Sequence, residues 1–139
     1  MTDAKLRQGT PAWFEMVGRL MREAALQAPL SPDLNLSLVE RYTDGAEMPG
    51  GLVQGLRFDI RNGKPTFRVG ARHGERGDVT IEITAAAART LNRLRSDDLE
   101  FQAARDGFLK SGEMRVDGDP AAMGSWLETV HDPIVDRTL

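Results

Sequence analysis

The sequence contains no cysteine, which removes disulfides, thiolate zinc sites and cysteine nucleophiles together. Histidine is nearly as scarce. The two present, His73 and His131, show neither H-x-H nor H-x-x-x-H spacing, so no metal-ligand set is in view, and both read as solvated turn or tail residues. No run approaches the roughly 18 apolar residues of a membrane span, and the start Met1-Thr2-Asp3-Ala4-Lys5 lacks the basic-then-apolar order of a signal peptide. A basic excess is missing as well. Lys and Arg number 18 against 21 Asp and Glu, a net charge of −3 that offers nothing for the phosphates of nucleic acid. Fifteen of the 18 basic residues are Arg, but they are scattered and interleaved with acids, as coding bias would leave them. These absences point to a cytoplasmic protein. Its 139 residues, 40% of them hydrophobic, suffice for one domain with its own core.

Catalytic patterns are absent too. No serine sits in a G-x-S-x-G elbow, and Ser125 of Gly124-Ser125 reads as a small residue within a helix. The loop between Gly45 and Gly51 has neither a GK[ST] ending nor a G-x-G-x-x-G that opens a helix. Asp97-Asp98 reads as acidic charge at a helix N-terminus, and Asp117 with Asp119 as a turn followed by a cap. The expectation is a protein that is not an enzyme and needs no cofactor.

What is present is clear periodicity. Residues 1–9 are polar and read as a flexible N-terminus ahead of a domain spanning 10–139. Thr10-Pro11 reads as N-cap and first-turn proline, and Trp13, Met16, Val17, Leu20, Met21, Ala24 and Ala28 recur at helical steps down to Pro29. From Leu34 the period becomes two, with Leu34, Leu36 and Leu38 on one face of a strand that runs to about Tyr42. Residues 43–51 read as a loop. Alternating runs on either side of Asn62-Gly63 predict a β-hairpin, since that dipeptide supplies the positive φ values of a type I′ turn. A further strand covers Asp78 to Thr84. Thr84 can cap a helix from Ala85 to about Arg95, Ser96-Asp97 opens another through Phe108 and Leu109, and Glu113 to Gly118 alternates again. Asp119-Pro120 repeats the cap-plus-proline pattern and predicts a last helix through Val130.

The predicted fold class is α/β of the α+β kind: a five-stranded, mainly antiparallel sheet with helices covering one face. Each strand pairs an apolar side with a charged one, as a sheet with one wet face requires. Phe101, Phe108, Leu109, Met114, Met123, Trp126 and Leu127 lie on elements that must cover that sheet. Periodicity alone favours a filled core there; helices standing off from the sheet would make a cavity instead.

Three segments in order, Phe58-Asp59-Ile60-Arg61-Asn62-Gly63-Lys64, Gly77-Asp78-Val79-Thr80-Ile81-Glu82-Ile83 and Gly112-Glu113-Met114-Arg115-Val116-Asp117-Gly118-Asp119, carry a resemblance. Over about residues 52–127 the chain resembles the sterol carrier protein type-two family. The resemblance implies a helix-covered sheet enclosing an apolar tunnel for fatty acids, fatty acyl-CoA or sterol-like lipids, in a non-catalytic carrier. By that implication Phe101, Ala104, Phe108, Leu109, Met114, Met123, Trp126 and Leu127 are the tunnel residues, reached between the last helix and the Phe101 to Leu109 helix. The chain departs from the family pattern at Arg95-Ser96-Asp97-Asp98-Leu99 and at Phe108-Leu109-Lys110-Ser111. Its end, Arg137-Thr138-Leu139, is not a peroxisomal S-K-L signal, which favours a bacterial setting. The expected partner is a lipid or other apolar small molecule, with no nucleic acid, at most transient membrane contact, and a homodimer left open. The rival expectation is an assembly subunit of a lipid or quinone biosynthetic pathway that uses the same fold with a filled core.

Overall fold

Thr10 opens the first helix as its spacing predicts. In the computed structural model, which describes residues 4–139, its hydroxyl accepts the Trp13 amide at 3.2 Å, and α1 (Pro11–Gln27) runs on to the extended Ala28 before Pro29. The helix buries Trp13, Phe14, Val17, Met21 and Ala25. Its outward residues include the exposed pair Glu15 and Arg19.

The strands follow as β1 (Leu36–Tyr42), β2 (Glu47–Met48), β3 (Leu52–Arg61), β4 (Lys64–Ala71), β5 (Val79–Ile83) and β6 (Met114–Asp117). Asn62 and Gly63 both take positive φ, 52° and 74°, and close the predicted hairpin with Arg61 opposite Lys64. Five strands form the row β4-β3-β1-β5-β6, and the two-residue β2 adds to the start of β3. That sixth strand falls in the segment read as loop, because a two-residue pairing has no alternation to display. Within the sheet all strand pairings but one are antiparallel; β1 and β5 run parallel at the centre of the row.

The alternation divides the sheet as predicted. Leu38, Tyr42, Leu56, Phe58, Ile60, Val79 and Ile83 face the helices and join the buried side of α1 in one core. The opposite face is charged, apart from a small buried apolar cluster of Val39, Val53 and Ala71. Arg41 pairs with Glu82 at 2.7 Å, Arg57 with Asp59 and Glu75 at 3.1 and 3.0 Å, and Arg76 with Asp117 at 2.6 Å. Burial pushes the Glu75 carboxyl up, but the Arg72 amide and the guanidinium groups of Arg68 and Arg57 outweigh it and hold the group below the usual carboxylate range.

The helices depart from expectation in three places. First, α2 (Ala85–Leu91) stops short of Arg95, and α3 (Leu99–Ser111) begins after Asp98, whose side chain accepts the Glu100 amide. Second, the continuous helix expected from Asp119 to Val130 is two short 3-10 turns, Pro120–Met123 and Ser125–Val130. Gly124 between them takes φ 118° and ψ 157°, which no helix can contain, and a Cβ there would lie 2.7 Å from the Trp126 ring. The Trp126 indole instead folds back and donates to the Met123 carbonyl at 2.7 Å. Third, the chain after Val130 forms α4 (His131–Asp136).

Residues 1–3 of the expected flexible N-terminus lie outside the described residues. Within the rest, Leu6 is tied to the end of the chain. Leu6 donates to the Arg137 carbonyl and accepts from the Leu139 amide, both at 2.8 Å, so the two chain ends pair as a short parallel bridge. The Trp13 indole fixes the same end by donating to the Thr138 hydroxyl at 2.9 Å, and that hydroxyl donates to the Ile134 carbonyl at 2.7 Å. Replacing Thr138 by Val keeps the shape and strands the buried indole N–H. Thr138→Val is therefore expected to cost about 1–3 kcal/mol in urea denaturation, with the far-ultraviolet circular dichroism of the native state unchanged.

Candidate functional site

Coverage of the sheet is uneven. Over β3 and β4, α1 lies close and its inner residues are buried. Over β5 and β6 the cover is α3, which has no fully buried residue; Phe101, Ala104 and Phe108 on its inner side are only half-buried. A helix whose apolar stripe stays half-buried is resting over space. That space is a cavity of about 290 Å³ between the sheet, α1, α2, α3 and the second 3-10 turn.

Its wall is mostly apolar. The sheet contributes Leu38, Leu56, Ile81, Ile83, Met114 and Val116, and α1 contributes Trp13, Phe14, Val17 and Met21. Ala88 and Leu91 come from α2, Phe101 from α3, and Leu127, Val130 and Ile134 from the C-terminal turns and α4. Arg105 and Glu128 also belong to the wall and are exposed, which marks the opening between α3 and the second 3-10 turn.

The roof is anchored by polar contacts at one end. Ser96 donates its amide and hydroxyl to Asp132 at 2.8 and 2.7 Å, and these bonds hold the Asp132 carboxyl below the usual range. Arg95 pairs with Asp136. His131, expected to be solvated, is half-buried: its Nε2 donates to the Leu94 carbonyl at 2.7 Å and its ring lies 4.5 Å from that of Phe101. A histidine beside Pro133 looks like a tail residue only until the chain folds back as α4.

Of the eight sequence-predicted tunnel residues, Phe101, Met114 and Leu127 line this cavity. Ala104 and Phe108 pack against the core beside it. Met123 and Trp126 are buried elsewhere, with the Trp126 ring 5.4 Å from Phe58. Leu109 points outward and is 40% exposed. The larger part of the wall comes from α1, β1, β3 and β5, whose alternation reads equally well as filled core. A second groove, about 430 Å³, runs along the outer side of α1 past Glu15, Arg19, Glu23 and Arg137 and the apolar Leu6, Met16 and Leu20; it is a surface cleft of mixed polar and apolar character.

One polar residue sits on the cavity floor. Glu40 follows Leu36 and Leu38 on the covered face of β1, opposite Leu56 on one side and Ile81 on the other. An acid in the apolar phase of an alternating strand is a signal the sequence does carry. Its side chain accepts no hydrogen bond and makes no ion pair among the described residues, and burial pushes its pKa up from 4.5 to about 7. The neighbouring Tyr42 phenol, which accepts from Gln8 at 3.0 Å, is raised by its own burial and then by Glu40.

Because the folded-state pKa of Glu40 is raised, its protonated form favours the fold. Stability is full below about pH 4.5 and falls as the pH rises through about 7, by up to roughly 3 kcal/mol. Glu40→Gln is expected to be more stable than the parent by about 1–3 kcal/mol at pH 8. The gap should close below about pH 4.5, as read by urea denaturation at both values.

No protein-family model and no curated protein matches the sequence. Solved structures do match. A crystal structure of sterol carrier protein 2 superposes with a TM-score of 0.51 at 14% identity, over 96% of this chain and 100% of that one. UbiJ-SCP2, a ubiquinone synthesis protein, gives 0.47 at 15% identity over 90% and 93%. The inverting sec-alkylsulfatase Pisa1 from Pseudomonas sp. gives 0.43 at 22% identity, where 84% of this chain spans only 16% of the sulfatase. With five rowed strands, one wet face and helices over the other, this chain has the α+β fold of sterol carrier protein 2.

Proposed function

We propose that this chain is a non-catalytic carrier that holds an apolar or amphipathic lipid, such as a fatty acid, fatty acyl chain or sterol-like molecule, in the cavity beneath α3. The observation that carries the reading is the cavity: about 290 Å³ of space walled by Trp13, Phe14, Phe101, Met114 and Leu127, with an opening at Arg105 and Glu128. That volume is at the lower edge of the roughly 300–1,000 Å³ typical of small-molecule sites. It suits a single modest ligand such as one alkyl chain. Polarizable Met and rotatable Phe side chains can refit around chains of different shape. The solved structure that shares the fold is named a sterol carrier, which agrees with this reading. Under the rival reading, an assembly subunit with a filled core, the space under α3 would hold no more than a few waters.

Affinity in such a site comes from apolar area removed from water, about 25 cal/mol per Å². Displacement of a fluorescent fatty acid, together with native mass spectrometry of protein purified from its host, tests the assignment. Phe101→Ala and Leu127→Ala are each expected to weaken binding about tenfold, whereas Leu109→Ala, outside the wall, leaves it unchanged. Absence of both a bound lipid and any displacement at micromolar protein would sink the proposal.

A further inference from the structure

The cavity wall is not uniformly inert, and its one anomaly lies on the central strand of the sheet. Glu40 stands on the central strand, flanked across the sheet by Leu56 and Ile81 and along β1 by Leu38 and Tyr42. The other polar members of the wall are engaged or peripheral. Asn92 donates to the Ala88 carbonyl at 2.9 Å, His131 donates to the Leu94 carbonyl, and Arg105 and Glu128 sit at the exposed opening. Glu40 alone is a hydrogen-bond acceptor inside an apolar cavity with no donor from the described residues to meet it.

We propose that Glu40 is a specificity-determining residue, a polar anchor for an amphiphile that enters with a hydrogen-bond-donating end, an alkyl amine above all or an alkyl alcohol, foremost. This deepens the carrier reading and rests on it. A half-buried carboxylate left unmet carries a desolvation penalty that either protonation or a hydrogen-bond donor relieves, and a cationic amine adds charge attraction to the hydrogen bond. A carboxylate head in the same place meets a like charge, so a fatty acid is held the other way round, tail inward and head at Arg105. Burial raises the Glu40 pKa to about 7, so the group is ionised in mildly alkaline solution and ready to pair with an ammonium.

The test is calorimetric titration of the full chain with decylamine, decanol and decanoate at about pH 8.5, where Glu40 is mostly ionised. The tail is identical in all three, so only the head is compared. Decylamine is expected to bind at least about tenfold more tightly than decanoate, with decanol between them. Glu40→Gln and Glu40→Leu should each cut decylamine affinity about tenfold or more and leave decanoate equal or improved. Since removing a buried charge relieves a cost, both variants are expected to fold, and the ranking in the parent protein is in any case a test that needs no variant. Decanoate binding as tightly as decylamine to the parent, or decylamine affinity unchanged in both variants, overturns the inference while the carrier reading stands. Failure of all three to bind overturns both.

Discussion

Every other element takes its place from the double pairing of β1. Hydrogen-bonded to β3 on one side and β5 on the other, it joins the N-terminal hairpin to the C-terminal strands, and its register decides which residues share a face. A slip of one residue would carry Leu38 and Tyr42 to the wet side and Arg41 into the core. The Arg41–Glu82 pair locks the register on the charged side, and burial of Leu38 and Tyr42 locks it on the other. The same register places Glu40 on the floor of the cavity. The strand cannot keep its apolar alternation and exclude that position from the covered face.

From this sheet the two faces part company in their chemistry. On the charged side, arginines and carboxylates pair within and across strands, with Arg41–Glu82 and Arg57–Glu75 largely shielded from water and the Arg41 Nε left buried without a hydrogen-bond partner among the described residues. On the covered side, α1 brings two aromatics and closes against β3 and β4, and its Trp13 is tied through Thr138 to the end of the chain. The second half of the cover has shorter, interrupted elements. Gly124 breaks one prospective helix into two turns, and α3 stands on half-buried side chains. A sheet covered tightly over one half and loosely over the other leaves its void under the loose half, which is where the cavity lies.

Much of the site was legible in kind and little of it in detail. Phe101, Met114 and Leu127 are picked out through the resemblance to the sterol carrier family, since the periodicity of their elements by itself reads as filled core. Met123 and Trp126 belong to the same segment, but on either side of the Gly124 break they are buried in the core, Trp126 against Phe58. Leu109 shares the helix of Phe101 and sits on its outer side, a matter of where that helix comes to rest. The α1 and central-strand residues of the wall carry no distinguishing mark, because an apolar side chain that lines a void has the same periodicity as one that fills it. Glu40 did carry a mark, an acid in apolar phase, and its meaning depends on whether a partner stands opposite.

Local patterns were enough to determine five of the six strands, the Asn62-Gly63 hairpin, the caps at Thr10, Thr84 and Asp119, and the division of the sheet into a charged and a covered face. Each of these is decided by neighbours in the chain, through backbone φ, period of two or first-turn hydrogen bonds, and the resemblance of the three strand segments rests on the same short-range features. The tertiary structure alone decided that β1 runs parallel to β5, that the final helix is broken, that the chain end returns to Trp13, and that the space beneath α3 stays open around a carboxyl group. These depend on contacts between residues tens of positions apart, and on how closely a helix approaches a sheet. Sequence periodicity records which side of a helix turns inward; it does not record how far from its partner the helix stops.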